Sequence, residues 1–300
     1  MTYKKMKILF IGTVEFSYKA LSSLLENEFE VVGLITKKTS KFNADFHDLT
    51  PLAKQYGVPV KYRTKDNEEE LISFIKEKSP DVIYCFGWSH ILSNTILTLP
   101  PYGVVGFHPA ELPNNRGRHP IIWALFLGVK QTASTFFIMD EGADTGDIIS
   151  QEIIKIENDD ATTLYQKITR KALHQIVTFS EDLQKNKGNI SKIVQDKNEG
   201  NTWRKRGKSD GKIDFRMTSK AIVNLVRSLT RPYVGAHIEY GTEDVIVWRV
   251  ENETTIFDNY EPGKVLEADE KNGIVVKTYD GAIRIIEHEF KILPIKGDYL

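Results

Sequence analysis

One cysteine in 300 residues is the first constraint. Cys85 sits alone in the apolar run VIYCF, so no internal disulfide can form and no multi-cysteine zinc site can be built. That usage suits a reducing cytoplasm. Net charge is missing too: 40 Lys and Arg against 41 Asp and Glu leave a formal charge of -1, and no global field draws the chain toward phosphate backbones. Apolar runs are short. None approaches the ~18 residues of a membrane span. The basic opening MTYKKMK precedes an apolar stretch of about six residues, too short for the apolar region of a signal peptide. A repeat, a low-complexity tract, a Walker loop, a nucleophile elbow and an HxxxH zinc pair are likewise lacking.

What is present can bury a core. The composition is 41% hydrophobic and 27% charged, and 300 residues suit two domains of unequal size. KILFIG (7–12), VVGLIT (31–36), DVIYCF (81–86) and VVGF (104–107) are near-continuously apolar, as strands covered on both faces should be. Helical spacing in SYKALSSLLE (17–26) and EEELISFIKE (68–77) separates them, which is the βαβ signature of an α/β, Rossmann-like, open and mostly parallel sheet. DATTLYQKITRKALHQIVTFSEDLQ (160–184) reads as a long amphipathic helix capped by Asp159 or Asp160. The polar, glycine-rich stretch from 195 reads as a linker. A second helix (218–230) and the short runs AHIEY, DVIVWRV, GKVLEA, GIVVKTY and AIRIIEHEF then predict a small antiparallel, OB-like barrel. The expected organisation is a first domain over 1–195, a linker over 196–210 and the barrel over 211–300. Exposed barrel strands could support a homodimer.

Ligands of open α/β sheets sit beyond the carboxyl ends of the strands. GVVGFHPAELPNNRGRHP (103–120) ends such a strand on a lone histidine, His108, and follows it with a loop holding three prolines, two asparagines and two arginines. Residues two apart share a strand face, so Gly106 points with His108 and should leave a hole beside it. A second apolar run, FFIMDEGADTGDII (136–149), ends in an acidic turn with Asp140, Glu141, Asp144 and Asp147. A carboxylate beside a histidine orients the ring and stabilises its charged form, as proton transfer during acyl transfer requires. A structural histidine and an ordinary turn are the competing readings. GTVEFS (12–17) is a strand-to-helix turn whose backbone N–H groups, at Gly12 and Thr13, can meet an anion.

Together these stretches resemble the formyltransferases that use 10-formyltetrahydrofolate, which include methionyl-tRNA, glycinamide ribonucleotide and sugar-nucleotide enzymes. GFHPAELPNNRG (106–117) resembles the family's central Asn-x-His…Leu-Pro…Arg-Gly motif, and Asp144-Thr145-Gly146 its Asp-x-Gly turn. IGTVEFS, DGKIDF, RSLTRPYVGAH and GKVLEA extend the similarity over nearly the whole chain. The resemblance implies His108 and Asp144 as catalytic residues, 10-formyltetrahydrofolate as co-substrate and no metal. It implies folate contacts from FGWSHILS (86–93), namely Trp88, Ser89, His90 and Leu92, and from Asp140. Trp88 and Leu92 can equally just pack, and Ser89 can cap a helix. Arg116 and Arg118 either contact substrate phosphate or hold their loop, and Asn115 lies with them. Glu111 either recognises a sugar hydroxyl or amine or is an exposed loop charge.

One departure stands out: the family's catalytic asparagine is Gly106 here. Losing such a donor to the formyl oxygen typically costs on the order of 100- to 1,000-fold in rate. Asn114, Asn115, His119, Ser89 and His90 are the nearest substitutes by sequence. For the acceptor, residues 201–300 hold 16 Lys plus Arg and 16 Asp plus Glu, a balance that disfavours nucleic acid. KKTSKFNADFHDLTPLAKQYGVPV, which matches the tRNA enzymes' basic loop, contains no arginine. The sequence therefore favours a nucleotide-linked amino sugar as the amine substrate. Methionyl-tRNA and a catalytically silent folate- or sugar-binding homologue are the rivals.

Overall fold

The computed structural model describes residues 5–39, 45–254 and 259–300. Residues 1–4 of the basic opening and 40–44 of the segment compared with the basic loop lie outside them. The chain divides into two compact units. Unit 1 comprises Met1–Gly117, Thr132–Ile154 and Gln166–Trp203, and unit 2 comprises Arg118–Gln131, Lys155–Tyr165 and Arg204–Leu300.

Unit 1 is built on the apolar runs. In order come β1 (Lys7–Ile11), α1 (Glu15–Glu26), β2 (Glu30–Thr36), α2 (Thr50–Gln55), β3 (Val60–Tyr62), α3 (Glu68–Lys78), β4 (Val82–Cys85), α4 (Asn94–Thr98) and β5 (Val104–His108). The chain continues with β6 (Arg116–Gly117), then α5 (Pro120–Leu127), which belongs to unit 2, then β7 (Gln131–Ile138), β8 (Ile148–Lys155), α6 (Ala161–Lys185), whose first residues up to Tyr165 also fall in unit 2, and β9 (Thr202–Trp203). The main sheet runs β3-β2-β1-β4-β5-β7-β8. Its first five strands are parallel and β7 is antiparallel to β5, so the α/β reading holds. The chain winds outward to β3 and then restarts at β4 on the other side of β1, so the loops after β1 and β4 flank the switch point where such sheets take ligands.

Burial explains why these runs become strands. Ile8, Leu9 and Phe10 are fully covered, as are Val82, Ile83 and Tyr84. α1 covers the sheet with Phe16, Ala20, Leu21, Leu24 and Leu25, the stripe its spacing predicts. Phe10, Phe86 and Phe136 meet edge-on at centroid separations of 5.6 and 5.3 Å, geometry worth ~0.5–1.5 kcal/mol per pair beyond burial. Asp160 Oδ1 accepts the Thr163 N–H at 2.8 Å, the cap expected before α6.

In unit 2, α7 (Ser219–Leu229) precedes β10 (Ala236–Tyr240), β11 (Glu243–Glu253), β12 (Val265–Asp269), β13 (Gly273–Lys277) and β14 (Ala282–His288). These five strands form an antiparallel sheet in the order β10-β11-β14-β13-β12. Irregular register in β11 on both sides of Arg249 bends the strand, the device by which small sheets curl toward barrels. Ile222, Leu225 and Val226 of α7 pack with Ile238, Val247, Ile274 and Ile283 to form the unit's core. Among the described residues, no helix is long and apolar enough to cross a membrane.

Candidate active site

His108 ends β5 and is only 4% exposed. Its neighbour across the sheet is Thr135 of β7, whose hydroxyl donates to the Ala110 carbonyl at 2.7 Å and fixes the start of the loop. Gln151 Nε2 donates to the Leu112 carbonyl at 3.0 Å further along. The loop then doubles back so that the Asn115 carbonyl lies 2.8 Å from His108 Nε2. A carbonyl only accepts, so Nε2 carries the hydrogen and Nδ1 is the bare nitrogen of the neutral ring. Nδ1 faces Asp144 Oδ2 at 3.6 Å, and the same oxygen accepts the Gly117 N–H at 2.9 Å. The structure thus brings together the histidine and the carboxylate that 36 positions (144 minus 108) separate in the chain. The gap is longer than a hydrogen bond, and protonation of Nδ1 would turn it into an ion pair.

The turn that presents Asp144 is tied internally. Asp140 Oδ1 accepts from Thr145 Oγ1 (2.6 Å) and from Gly142 N–H (3.0 Å), and its other oxygen lies 3.0 Å from Lys197 Nζ. Burial pushes the Asp140 carboxyl up, but the bonds from Thr145, Lys197 and Gly142 outweigh it, so its pKa lies below the ordinary carboxylate value. Asp140 therefore clamps its own turn. Gly146 is required there, because a Cβ would fall 1.6 Å from the Ile138 carbonyl oxygen. Gln195 Nε2 donates to the Asp144 and Gly146 carbonyls at 3.0 and 2.6 Å. Its Oε1 accepts from Arg116 Nη2 at 3.1 Å.

Arg116 corrects one expectation. The guanidinium is 5% exposed and turned inward, donating also to the Glu199 carbonyl (2.9 Å) and the Asp196 carbonyl (3.1 Å). It holds chain rather than reaching for phosphate. Arg118 is exposed and opens the next segment of unit 2. Glu111 is half-buried, and its carbonyl accepts the Asn114 N–H at 2.9 Å.

The hole expected beside Gly106 is filled. A Cβ built there would lie 2.9 Å from both Met139 Cγ and Phe137 Cζ. Phe137 pairs directly with Gly106 across β5 and β7, and paired residues project from the same face, so the ring occupies the space. Of the suggested substitutes, Asn114 is exposed, and His119 belongs to unit 2, where its Nδ1 accepts the Arg206 N–H at 3.3 Å. Asn115 does reach His108, through its carbonyl.

The turn after β1 also differs from its reading as an anion cradle. Ser17 Oγ accepts both the Thr13 and Val14 N–H groups at 3.2 Å and donates to the Phe86 carbonyl at 2.6 Å. The Gly12 N–H donates to Ile35. Gly12 and Thr13 thus bind the switch-point loops to each other, and their N–H groups already have acceptors.

In the loop after β4, Leu92 packs into the core with Leu9 and Ile83 and Trp88 packs against the same cluster, so the packing reading holds for both. Trp88 stands edge-on to His90 (5.6 Å), Lys37 Nζ lies 5.8 Å from the indole centroid, and Ser89 is half-buried. Trp88 Nε1 is buried with no hydrogen-bond partner among the described residues. Arg63, with a side chain 19% exposed, has Glu68 at 3.9 Å. Burial and then the Arg63 charge lower the Lys37 pKa, and burial, Lys37 and Arg63 lower that of His90. Lys37 and Arg63 therefore bring positive charge near the His90 ring, which favours its neutral form. Lys37, Arg63 and Gln195 carried no sequence signal, since nothing in a polar stretch marks which side chain turns inward.

Residues 6–179 match the sequence profile described as "Formyl transferase", and residues 205–296 match "Formyl transferase, C-terminal domain". A methionyl-tRNA formyltransferase of Caldanaerobacter subterraneus subsp. tengcongensis is 34% identical over 289 residues, covering 94% of this chain and 91% of the relative. Among solved structures, HypX of Aquifex aeolicus with tetrahydrofolic acid superposes with a TM-score of 0.70 at 17% identity, over 98% of this chain and 49% of HypX. This chain thus spans about half of that one. An N-formyltransferase of Helicobacter canadensis, solved with folinic acid and dTDP-3-aminofucose, gives 0.68 at 18% identity, over 93% of this chain and 98% of that one. At such identities the two superpositions speak to the fold.

Proposed function

This chain belongs to the formyltransferase family, and from that premise we propose that it carries the formyl group of 10-formyltetrahydrofolate to the amino group of a methionyl-tRNA, with His108 handling the proton. The observation that carries the chemistry is the His108 ring, pinned through Nε2 on Asn115 and turned with its bare Nδ1 toward Asp144. As the amine lone pair forms the new C–N bond, the nitrogen must shed a proton. Nδ1 accepts it, and Asp144 stabilises the imidazolium that results. Nδ1–H then returns the proton to the folate nitrogen as its bond to the formyl carbon breaks. The co-substrate supplies the activated formyl carbon. The cations at Lys37 and Arg63 are suited to the carboxylates of its glutamate arm, and the Trp88 N–H can donate to the same ligand.

The acceptor rests on the relative that is 34% identical over almost the whole chain. A nucleotide-linked amino sugar is the second reading, favoured by the charge balance of residues 201–300 and the lack of arginine in 37–60. The deciding experiment supplies 10-formyltetrahydrofolate with methionyl initiator tRNA or a panel of nucleotide-linked amino sugars, and follows the mass gain of one formyl group. Formylated methionyl-tRNA, formed in a salt-sensitive reaction, is the expected product. His108→Ala should slow it by roughly 100- to 10,000-fold. Transfer to a sugar alone moves the assignment to the second reading, and tight folate binding without transfer makes the chain a silent homologue.

A further inference from the structure

We propose that residues 193–203, a polar stretch between the two family-matched regions, are a clamp that positions both partners of the His108 ring and hence a working part of the active site. The proposal rests on His108 being the proton-handling group. The two partners of His108 share an unusual property: Asn115 and Asp144 both have left-handed backbones, with φ of 63° and 59°. Non-glycine residues persist in that region only where their surroundings hold them. At both, this one segment supplies holding groups, which at Asp144 add to the Gly117 N–H and the bonds of Asp140 within the turn.

On the Nε2 side, Asn201 Oδ1 accepts the Asn115 N–H at 2.8 Å, and the Asn201 carbonyl accepts the Arg116 N–H at 3.0 Å. β9 then pairs with β6, so the chain that aims the Asn115 carbonyl is fixed directly before and after it. On the Nδ1 side, Gln195 donates to the carbonyls of Asp144 and Gly146, while antiparallel bonds between Ile193 and Ile148 anchor the segment to β8. Arg116 links the two halves by bonding Gln195, Asp196 and Glu199 at once. The contact is close enough to demand glycine: a Cβ on Gly200 would fall 2.0 Å from the Pro113 carbonyl oxygen. Gln195 is 6% exposed, so its bonds have no competition from water.

Each bond also says which substitution restores it. Asn201 acts only as an acceptor through its side chain, so Asn201→Asp should keep the function that Asn201→Ala loses. Gln195 uses both its donor and its acceptor, so Gln195→Glu should be as defective as Gln195→Ala. Misplacing a reacting group by ~1 Å can cost ~100-fold. We expect kcat to fall roughly 10- to 100-fold in Gln195→Ala, Gln195→Glu and Asn201→Ala, with KM changed less than about twofold and Asn201→Asp near wild type. The titration midpoint of the His108 imidazole, read by NMR in the same full-length variants, should move in the three defective ones. A purely structural role would lower the melting temperature while leaving kcat and that midpoint in place, and this result overturns the proposal. Equal loss in Asn201→Asp and Asn201→Ala overturns it as well. Should the wild type transfer formyl to no acceptor, the functional reading fails separately, and an unmoved His108 midpoint in Gln195→Ala overturns the clamp on its own.

Discussion

Replacing Gly106 tests the packing beside His108. A Cβ there would sit 2.9 Å from Met139 Cγ and Phe137 Cζ and 3.2 Å from Phe137 Cε1, where carbon atoms prefer ~3.5–4.0 Å. Met139 can yield by rotating about its flexible side chain. Phe137, 3% exposed and packed with Leu112 and Ile148, has little room to move. Overpacking of this kind costs about 1–3 kcal/mol, and Gly→Ala recovers about 0.4–1 kcal/mol through the unfolded chain. Gly106→Ala should therefore lose up to about 2.6 kcal/mol, and Gly106→Asn should lie toward the upper end of the overpacking range. Urea denaturation followed by far-UV circular dichroism measures the difference. Restoring the asparagine alone should not speed formyl transfer, because its amide has no space to occupy. Gly106→Asn combined with Phe137→Ala removes the ring that fills that space and should exceed Phe137→Ala alone by up to ~100-fold in turnover. A Gly106→Ala protein with a raised urea midpoint, or a Gly106→Asn protein with an unchanged one, would refute the packing argument.

Two further outcomes follow from buried groups. Arg116→Ala removes three charge-assisted hydrogen bonds at a 5% exposed site and should destabilise by about 2–4 kcal/mol, read as a shifted urea midpoint. A phosphate-binding arginine would instead weaken acceptor binding at an unchanged midpoint. His119 concerns pH: burial, then Arg118, Arg206 and Lys205, holds its pKa below the ordinary 6.5, and its Nδ1 must stay bare to accept the Arg206 N–H. The unfolded chain thus takes up this proton at a higher pH than the folded one. Stability is full above about 6.5 and declines as pH falls below it. His119→Gln should flatten the loss of melting temperature between about pH 7 and pH 5, and an equally steep loss in the variant would show that another group is responsible.

The elements were legible because they follow from local patterns. Short apolar runs such as KILFI and VIYC suit strands covered on both faces, and the spacing of Phe16, Ala20, Leu21 and Leu24 defines one side of a helix. The placing of His108 at a strand end, and of an acidic turn after a second apolar run, came from the same periodicity. The destination of each polar side chain was not legible. Whether Arg116 contacts phosphate or holds its loop is open until Gln195, Asp196 and Glu199 fold over it, and Gly106 reads as an empty place until Phe137 arrives from the neighbouring strand. Residues 193–203 look like connecting chain because their hydrogen-bond partners lie some 50 to 90 positions earlier (195 minus 144 is 51; 201 minus 115 is 86). Period and composition, which the sequence carries by itself, set strand, helix and turn through burial along the chain. Which polar group meets which is decided only in the tertiary structure, because it depends on segments that local pattern does not relate.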